Sequence, residues 1–400
     1  MRTLFSGGVV FDGSAFAEGD VVVEDGRVVE VGVGLDGDER VDCTGRTLTP
    51  GIVDCHVHAM FSGVDILAMV QKPFSYAFYE AARNLGATLR TGVTTVRDAG
   101  GSDAGLRKAV QDGLVAGPRM QVAITILSQT GGHADDWMPC GADIPLLVPH
   151  PGMPSSVVDG VDAMRRKARE VLRAGADVLK VCTTGGVLSA ADDPRHSQFS
   201  PAELDALVEE ANAQHKPVMA HAQGAEGIKN AVRAGIRSVE HGIYLDDEGI
   251  DLMLDRGTWL VPTLAAPRAV IAAAAAGAGI PATMVEKAGA TAEIHVAAIS
   301  RAVEAGVKVA MGTDSGVGPH GHNLEELGHM VACGMSAEQS LHASTASAAE
   351  LLGLQDEIGR VAEGFVADLV LFDGDLRGDD LADLGGRGEG GWQRGQSVAR

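Results

Sequence analysis

The sequence has little positive charge. It contains 32 Lys and Arg residues against 54 Asp and Glu residues, a formal net charge of −22 over 400 residues. The acidic residues are scattered along the chain and form no separate tail. Because such a charge repels phosphate backbones and anionic bilayers, we expect no nucleic acid or membrane partner.

Cysteine pairs are also missing. The five cysteines are an odd set without C-x-x-C spacing: Cys43, Cys55, Cys140, Cys182 and Cys333. This pattern argues against a disulfide framework and against a cysteine zinc site. It predicts a protein of the reducing cytoplasm.

Long apolar runs are absent as well. The first residues, MRTLFSGGVVFDG, reach Asp12 without the apolar core of a secretory signal. The nearest candidate for a membrane span, residues 269–285, is rich in Ala but interrupted by Gly277, Gly279 and Pro281. We predict a helix and a turn there instead of a span.

The two ends of the chain share one pattern. In residues 1–50, short segments mix β-branched with polar residues and are separated by Asp-Gly pairs, which is typical of hairpins. Residues 359–373 return to this pattern, so residues 1–50 and 356–400 are predicted to form a small β-sandwich domain. The tail from Leu376 has little apolar content and is predicted to be partly disordered.

Between these ends, residues 51–355 alternate short apolar strands with Ala-rich helical stretches, which predicts repeated βα units. Eight strand candidates end near His58, Asp98, Ile126, Lys180, His221, His241, Thr263 and Asp314. The predicted fold class is therefore α/β, a (β/α)8 TIM barrel. Catalytic groups of such barrels lie where strands end, and six of these ends carry His, Lys or Asp.

The first strand end has the sequence GIVDCHVH, in which alternation directs His56 and His58 to the same side. One metal ion could accept both imidazoles. A half-buried strand can also carry two histidines for structural reasons.

The strand end DVLKV carries Lys180, whose ammonium would be costly to bury unpaired. A snorkelling lysine is the ordinary interpretation. The functional interpretation is that desolvation lowers the amine pKa, and that the neutral amine takes up carbon dioxide to form a carbamate that bridges two cations.

Three more strand ends complete the set. His221 in VMAHAQG and His241 in SVEHG each close an apolar strand one βα unit apart, although either could be a core histidine. Asp314 in VAMGTDSG could bind a metal and take a proton from the attacking water.

Together, H-x-H, a strand-end Lys, two single His residues and a last-strand Asp resemble the binuclear amidohydrolase superfamily. The prolidase-like and imidazolonepropionase-like group has the most similar motifs: TPGIVDCHVHAM at 49–60, TGGHAD at 130–135, LKVCTTGGV at 179–187, EHGIYLDDE at 240–248 and PHGHN at 319–323. This resemblance spans nearly the whole chain.

The resemblance implies a metal site with two divalent ions, expected to be zinc. It implies that His56, His58 and Asp314 bind one ion, that His221 and His241 bind the other, and that carboxylated Lys180 bridges them. A hydroxide between the ions would attack the scissile carbonyl, and Asp314 would pass its proton to the leaving amine.

Loop residues are predicted to contact the substrate. His133, in a Gly-rich loop, could donate to the carbonyl oxygen or to a substrate carboxylate, or it could simply face solvent. His320 and His322 are predicted to recognise a carboxylate, with turn residues as the alternative. Gln223 and Tyr244 complete the predicted substrate contacts; many relatives have Tyr where this chain has Gln223.

The predicted function is hydrolysis of an amide bond in a small molecule, a dipeptide of the Xaa-Pro type or an N-acyl amino acid, by a homo-oligomeric enzyme. The alternative is hydrolysis of a cyclic amide, lactone, carbamate or urea at the same site. A non-catalytic scaffold would have broken ligands, and Lys180 argues against a mononuclear deaminase.

Overall fold

The computed structural model describes residues 1–138, 140–189 and 192–398, which form an α/β fold. The described strands, in chain order, are β1 (Thr3–Phe11), β2 (Phe16–Glu24), β3 (Arg27–Gly32), β4 (Glu39–Asp42), β5 (Arg46–Pro50), β6 (Ile52–Val57), β7 (Val93–Asp98), β8 (Arg119–Val122), β9 (Ile126–Leu127), β10 (Leu179–Cys182), β11 (Val218–Ala222), β12 (Ser238–His241), β13 (Trp259–Val261), β14 (Leu369–Asp373), β15 (Gly388–Gln393) and β16 (Gln396–Val398).

The helices alternate with the parallel strands. In chain order they are α1 (Ile66–Val70), α2 (Tyr76–Arg90), α3 (Ala104–Gln111), α4 (Val161–Arg173), α5 (Pro201–Asn212), α6 (Ala225–Ala234), α7 (Asp247–Arg256), α8 (Ala265–Ala275), α9 (Ala282–Ala305), α10 (Glu325–Ala332), α11 (Ala337–Ala343), α12 (Ala346–Leu352) and α13 (Leu384–Arg387).

The strands from the two ends of the chain form one eight-stranded sheet. Its order is β16-β15-β14-β5-β1-β2-β3, with β4 pairing with β1. The predicted hairpin at Asp25-Gly26 is confirmed: both residues have positive φ, 50° and 77°, and Glu24 pairs with Arg27. Such a two-residue turn matches the twist of antiparallel strands. We call the eight-stranded sheet the terminal sheet.

The C-terminal stretch joins the terminal sheet as predicted, because β14 pairs antiparallel with β5. The predicted disorder after Leu376 is wrong for the described residues: β15 and β16 extend the sheet. Leu376, Leu381 and Leu384 are fully buried. These few apolar side chains anchor a segment whose overall composition is polar.

The remaining strands form two parallel sheets, β6-β7-β8 and β13-β12-β11-β10-β9. Residues of β6, β7 and β10 to β13 are buried along their whole lengths, as expected when both faces of a parallel sheet are covered. Seven of the eight predicted strand candidates correspond to these strands. Each of the seven ends within two residues of its predicted position.

The eighth predicted strand is an extended segment, residues 308–315, with isolated bridges instead of a regular ladder. On one side, Leu260 N donates to Lys308 O at 2.8 Å and Ala310 N to Leu260 O at 3.0 Å. On the other side, Cys55 N donates to Met311 O at 2.9 Å. This segment therefore connects β13 with β6, and so joins one parallel sheet to the other.

The helices pack on the parallel strands through apolar faces. Helix α4 buries Met164, Ala168, Val171 and Leu172, which recur at helical spacing. In helix α5, Ser200 and Glu203 form a capping box that satisfies orphan N–H groups at the helix start.

Residues 269–285 form the end of α8, a turn and the start of α9, so the predicted helix and turn are confirmed. None of the described helices is long and apolar enough to cross a membrane.

Candidate metal centre

The polar ends of the parallel strands meet at one cavity. Eight of the predicted site residues line it: His56, His58, His133, Lys180, His221, Gln223, His241 and Asp314. Parallel strands direct their carboxyl ends to the same edge, which is why residues far apart in sequence meet here.

The innermost group consists of imidazoles around one carboxylate. Ligand atoms of His56, His241 and Asp314 all lie within 4.8 Å of one another. Asp314 Oδ1 is 3.4 Å from His56 Nε2 and 3.3 Å from His58 Nε2. The rings of His221 and His241 contact each other, with centroids 4.6 Å apart. This group of buried nitrogen and oxygen donors could hold a metal ion.

The ring orientations are fixed by bonds at the nitrogen that faces away from Asp314. His56 Nδ1 bonds Glu240 Oε2 at 2.8 Å, and His58 Nδ1 bonds the carbonyl oxygen of Gly100 at 2.8 Å. His241 Nδ1 bonds Thr263 Oγ1 at 2.7 Å. Such partners set the tautomer and leave the other nitrogen free for a metal.

Glu240 was not predicted as a site residue, yet its carboxylate connects three other buried side chains. Besides His56, it accepts a bond from Arg97 Nη2 at 3.0 Å, and Ser238 Oγ donates to it at 2.5 Å. All four side chains are buried. A fully buried arginine needs such a partner. The sequence signals available were Glu240 beside His241 and a charged residue, Arg97, inside an apolar strand.

A second buried carboxylate, Asp54, ties the segment of Asp314 to β6. It accepts bonds from Thr313 Oγ1 at 2.7 Å and from Asn323 Nδ2 at 2.8 Å. Burial raises the pKa of Asp54 to about 6, while these hydrogen bonds act in the opposite direction. The bonds to Asp54 help to hold Asp314 against His56, and Asp314 N also donates to His56 O at 2.7 Å.

Lys180 is buried, and its Nζ atom has no hydrogen-bond partner among the residues that the structure describes. Burial lowers the pKa of this amine, since the charged form loses its hydration. An orphaned amine beside imidazoles and a carboxylate fits a role that uses its neutral form. It does not fit a plain structural lysine, whose ammonium would be paired or solvated.

The protonation of three histidines and of Asp314 favours ligand binding. Burial lowers the pKa of His56, His221 and His241 well below the ordinary value, so these rings are neutral at pH 7. For His58, burial acts in the same direction, but the hydrogen bond to Asp314 outweighs it and raises the pKa. Burial alone would raise the pKa of Asp314, but the nearby imidazoles of His56 and His58 outweigh it and hold that pKa well below its usual range. Neutral imidazole and ionised carboxylate are the ligand forms that metals require.

Three of the strand-end residues have strained backbone. His241, Thr263 and Asp314 have φ values of 71°, 53° and 59°, in the left-handed region that side chains with a Cβ seldom adopt. Strain of this kind concentrates at functional sites, where the surrounding structure holds it in place. Two of these residues, His241 and Asp314, have ligand atoms within 4.8 Å of each other.

Gly312 allows two chain segments, that of Asp314 and β6, to approach each other closely. A Cβ there would lie 2.4 Å from Val261 Cγ1 and 2.9 Å from His56 Cβ. Glycine in the GTDSG motif therefore allows the segment of Asp314 to pack directly on β6.

His133 lies at the side of the cavity and stacks on His221, with ring centroids 4.1 Å apart. Gln223 is buried, lines the cavity, and its Oε1 has no hydrogen-bond partner among the described residues. Tyr244 packs against an apolar cluster that borders the cavity, outside the described lining.

His320 and His322 lie elsewhere. His320 Nε2 bonds Phe61 O at 3.0 Å, and His322 is exposed and paired with Glu325 at 2.8 Å. Neither is among the described residues that line the cavity. Their contact with a substrate stays a prediction without support from this geometry.

Comparison with known proteins adds an independent finding. The sequence pattern of the Amidohydrolase family matches residues 47–395. Ochratoxinase of Aspergillus niger is 37% identical over 341 residues, which cover 81% of this chain and 69% of that protein. An imidazolonepropionase of Idiomarina loihiensis is 25% identical over 380 residues, 88% of this chain and 85% of that protein.

Among solved structures, a prolidase complexed with N-methylphosphonate-L-proline is 35% identical to the chain, with a TM-score of 0.91 and coverage of 100% of both chains. The similarity therefore includes the terminal sheet as well as the parallel strands.

Proposed function

The chain belongs to the amidohydrolase family, hydrolases of amide C–N bonds, and from this premise we propose that it is a binuclear metal enzyme that releases an amino acid from a dipeptide or an N-acyl amino acid. The observation that carries the proposal is the buried cluster of His56, His241 and Asp314 beside the orphaned amine of Lys180.

The proposed scaffold is a closed (β/α)8 barrel, residues 51–355, with a separate small β domain formed by residues 1–50 and 356–400. Closure is supported by the segment 308–315, which bonds β13 on one side and β6 on the other. On the opposite side, Asp177 N, just before β10, donates to Val122 O of β8 at 2.9 Å.

The residues fit two divalent ions. His56, His58 and Asp314 would hold one ion, and His221 and His241 the other, with zinc as the expected metal for imidazole-rich sites. Lys180 would bridge them after its neutral amine forms a bond from Nζ to the carbon of carbon dioxide and releases a proton. The buried and unpaired Nζ supports this modification.

Two bound ions would lower the pKa of water and polarise the scissile carbonyl. Asp314 is the group that holds the attacking water, takes its proton and passes that proton to the leaving amine. Its low pKa keeps it ionised, so its oxygens are free to accept a hydrogen bond from that water. Glu240 and Arg97 hold the ring of His56 in place during this transfer.

The substrate is proposed to have an apolar part as well as the amide. Besides the polar cluster, the cavity lining includes Ile66, Met69, Leu147 and Met284. The prolidase relative, solved with a proline-containing phosphonate, supports a substrate with a C-terminal amino acid. The name of the imidazolonepropionase relative keeps a cyclic amide as the second candidate.

We also propose that the enzyme is a homo-oligomer and that it acts in the cytoplasm. All five cysteines are free thiols, which is consistent with a reducing compartment.

The test is a screen of zinc-loaded protein against Xaa-Pro dipeptides, N-acyl amino acids and cyclic amides, with amino acid release as the readout. D314A serves as the inactive control and D373A as its matched variant, because Asp373 is exposed at the end of β14. Release from the linear amides supports the proposal. Turnover of cyclic amides alone, or about one ion per chain instead of two, would contradict it.

A further inference from the structure

The loop that follows β10 carries three groups that surround the ring of His133. Gly186 lies directly against the imidazole: a Cβ there would be 2.2 Å from His133 Cε1. Ser189 and Asp192 contact the Nδ1 side of the ring, and the Asp192 side chain is only 6% exposed. Neither Ser189 nor Asp192 was singled out from the sequence.

The contacts form a short chain of hydrogen bonds. His133 Nδ1 is 3.1 Å from Ser189 Oγ and 3.4 Å from Asp192 Oδ2. Ser189 Oγ donates to Asp192 Oδ1 and is 3.2 Å from Gly186 O. Gly186 N also donates to Asp192 Oδ2 at 3.1 Å.

The directions of these bonds fix the hydrogen on the ring. The Ser189 hydroxyl has one hydrogen, and both of its other neighbours, a carboxylate and a carbonyl, can only accept it. Ser189 Oγ must therefore accept from His133 Nδ1–H. Burial alone would raise the pKa of Asp192, but His133, Ser189 and Lys287 outweigh it and lower that pKa to about 2, so the carboxylate is ionised.

Helix α9 holds this loop through one side chain. Lys287 Nζ donates to the carbonyl oxygens of Gly186 at 3.1 Å and of Ser189 at 3.0 Å, and it lies 3.4 Å from Asp192 Oδ1. It also donates to Asp192 O. One ammonium thus binds four oxygens of a single loop, an arrangement that restrains the loop and neutralises its carboxylate.

We infer that Asp192 and Lys287 are positioning residues: Lys287 holds the loop after β10, and Asp192, through Ser189, keeps His133 in its Nδ1–H tautomer with Nε2 free for the substrate. The inference rests on the proposed function, in which His133 contacts the substrate. Nε2 has no hydrogen-bond partner among the described residues, and the ring lines the cavity. In this tautomer, Nε2 offers an acceptor, suited to a substrate N–H, where the sequence had suggested a donor.

The test compares kcat and KM for D192N, H133Q, the double variant and the matched control D193N. In D192N the introduced amide can donate to Ser189, so the hydrogen bonds can reverse and the ring loses its fixed tautomer. We expect kcat to fall about 10- to 100-fold, the scale typical of groups that orient active-site ligands, with a smaller change in KM. Asp193 pairs with Arg195 and does not contact His133, so D193N should leave kcat unchanged.

The double variant separates positioning from simple structural damage. If Asp192 acts through His133, adding D192N to H133Q costs no further activity, whereas independent roles give losses that multiply. Multiplying losses would overturn the inference.

A second measurement does not depend on turnover. In protein labelled with ¹⁵N-histidine, long-range ¹⁵N–¹H spectra, assigned with H133Q, should report Nδ1–H for His133 in the wild type and a changed pattern in D192N. An Nε2–H ring in the wild type contradicts the inference even if amides are hydrolysed. A wild type that hydrolyses no amide contradicts the proposed function and leaves this spectrum as the test of the positioning.

Discussion

The parallel strands and the terminal sheet differ in where they keep their polar side chains. Strands β6, β11 and β12 are buried along their whole lengths and present His56, His221 and His241 to one cavity. In the terminal sheet, β14 is equally buried over four residues but ends in the exposed carboxylate of Asp373. The carboxyl ends of parallel strands converge, whereas neighbouring antiparallel strands end at opposite edges.

The two faces of β14 explain what the terminal sheet does instead. Val370 and Phe372 belong to the large apolar cluster beneath the parallel strands, and Leu369 and Leu371 to the cluster within the terminal sheet. The sheet therefore contributes packing to the fold. We expect substitutions at the carboxyl ends of the parallel strands to remove activity without unfolding the chain. Substitutions in the core of the terminal sheet should lower stability and leave the activity of the folded protein unchanged.

The largest expected effect comes from removing the strand-end carboxylate. D314N should lower kcat about 10²- to 10⁴-fold, the range for loss of a general acid–base group, because the amide cannot take a proton from water. Steady-state kinetics with a substrate from the screen measures this, with thermal melting in parallel. The matched change at the end of β14, D373N, should keep full activity. Equal kcat values for D314N and D373N would contradict the difference between the parallel strands and the terminal sheet.

Truncation of the buried ring in the terminal sheet should mainly affect stability. F372A should cost about 3–5 kcal/mol of unfolding free energy, as expected when a fully buried Phe leaves a cavity. Denaturant unfolding measures it, and the folded fraction should keep its kcat. The control is F61A: Phe61 is half-buried and lines the cavity, so its loss should change KM more than stability. A fall in kcat for folded F372A would contradict the division of roles.

The third prediction concerns the carboxylate that orients His56. E240Q should weaken metal affinity about 10- to 100-fold, since outer partners of metal-ligating histidines have effects of this size. Metal titration followed by competition with a chelator measures it. Glu18, exposed on β2, provides the matched variant E18Q, which should bind metal like the wild type. Unchanged affinity in E240Q would remove Glu240 from the site.

The smallest expected effect is a dependence of stability on pH that is caused by one carboxyl group lining the cavity. Burial raises the pKa of Asp136, which lines the cavity, to about 7, with nearby carboxylates adding to the shift. Because the folded-state pKa lies above the ordinary value of 3.8, the associated stability is present at low pH and is lost as the pH rises through about 7. D136N should therefore gain stability relative to the wild type between pH 4 and pH 8.

Thermal melting at several pH values measures this change. Asp251, exposed on α7 and not among the groups that shift Asp136, gives the control D251N, whose difference from the wild type should stay constant over the same pH range. A constant difference for D136N as well would contradict the raised pKa of its carboxyl group, because the folded and unfolded states would then bind equal numbers of protons over this range.

Much of the site could be predicted because its signals are local. An imidazole, amine or carboxylate directly after an apolar run marks a strand end, and five residues that met this condition line one cavity: His56, Lys180, His221, His241 and Asp314. The polar tail after Leu376 was wrongly predicted to be disordered, because its three buried leucines are too sparse to form a recognisable pattern.

The sequence by itself determined the α/β alternation, the strand ends and the residue types at those ends, since each depends on neighbours a few positions away. Only the tertiary structure decided which partners orient them. Glu240 meets His56 across 184 residues, and Lys287 meets Asp192 across 95. It also separated His133, which lines the cavity, from His320 and His322, which do not, because loop direction depends on packing between distant segments and leaves no local periodicity in the sequence.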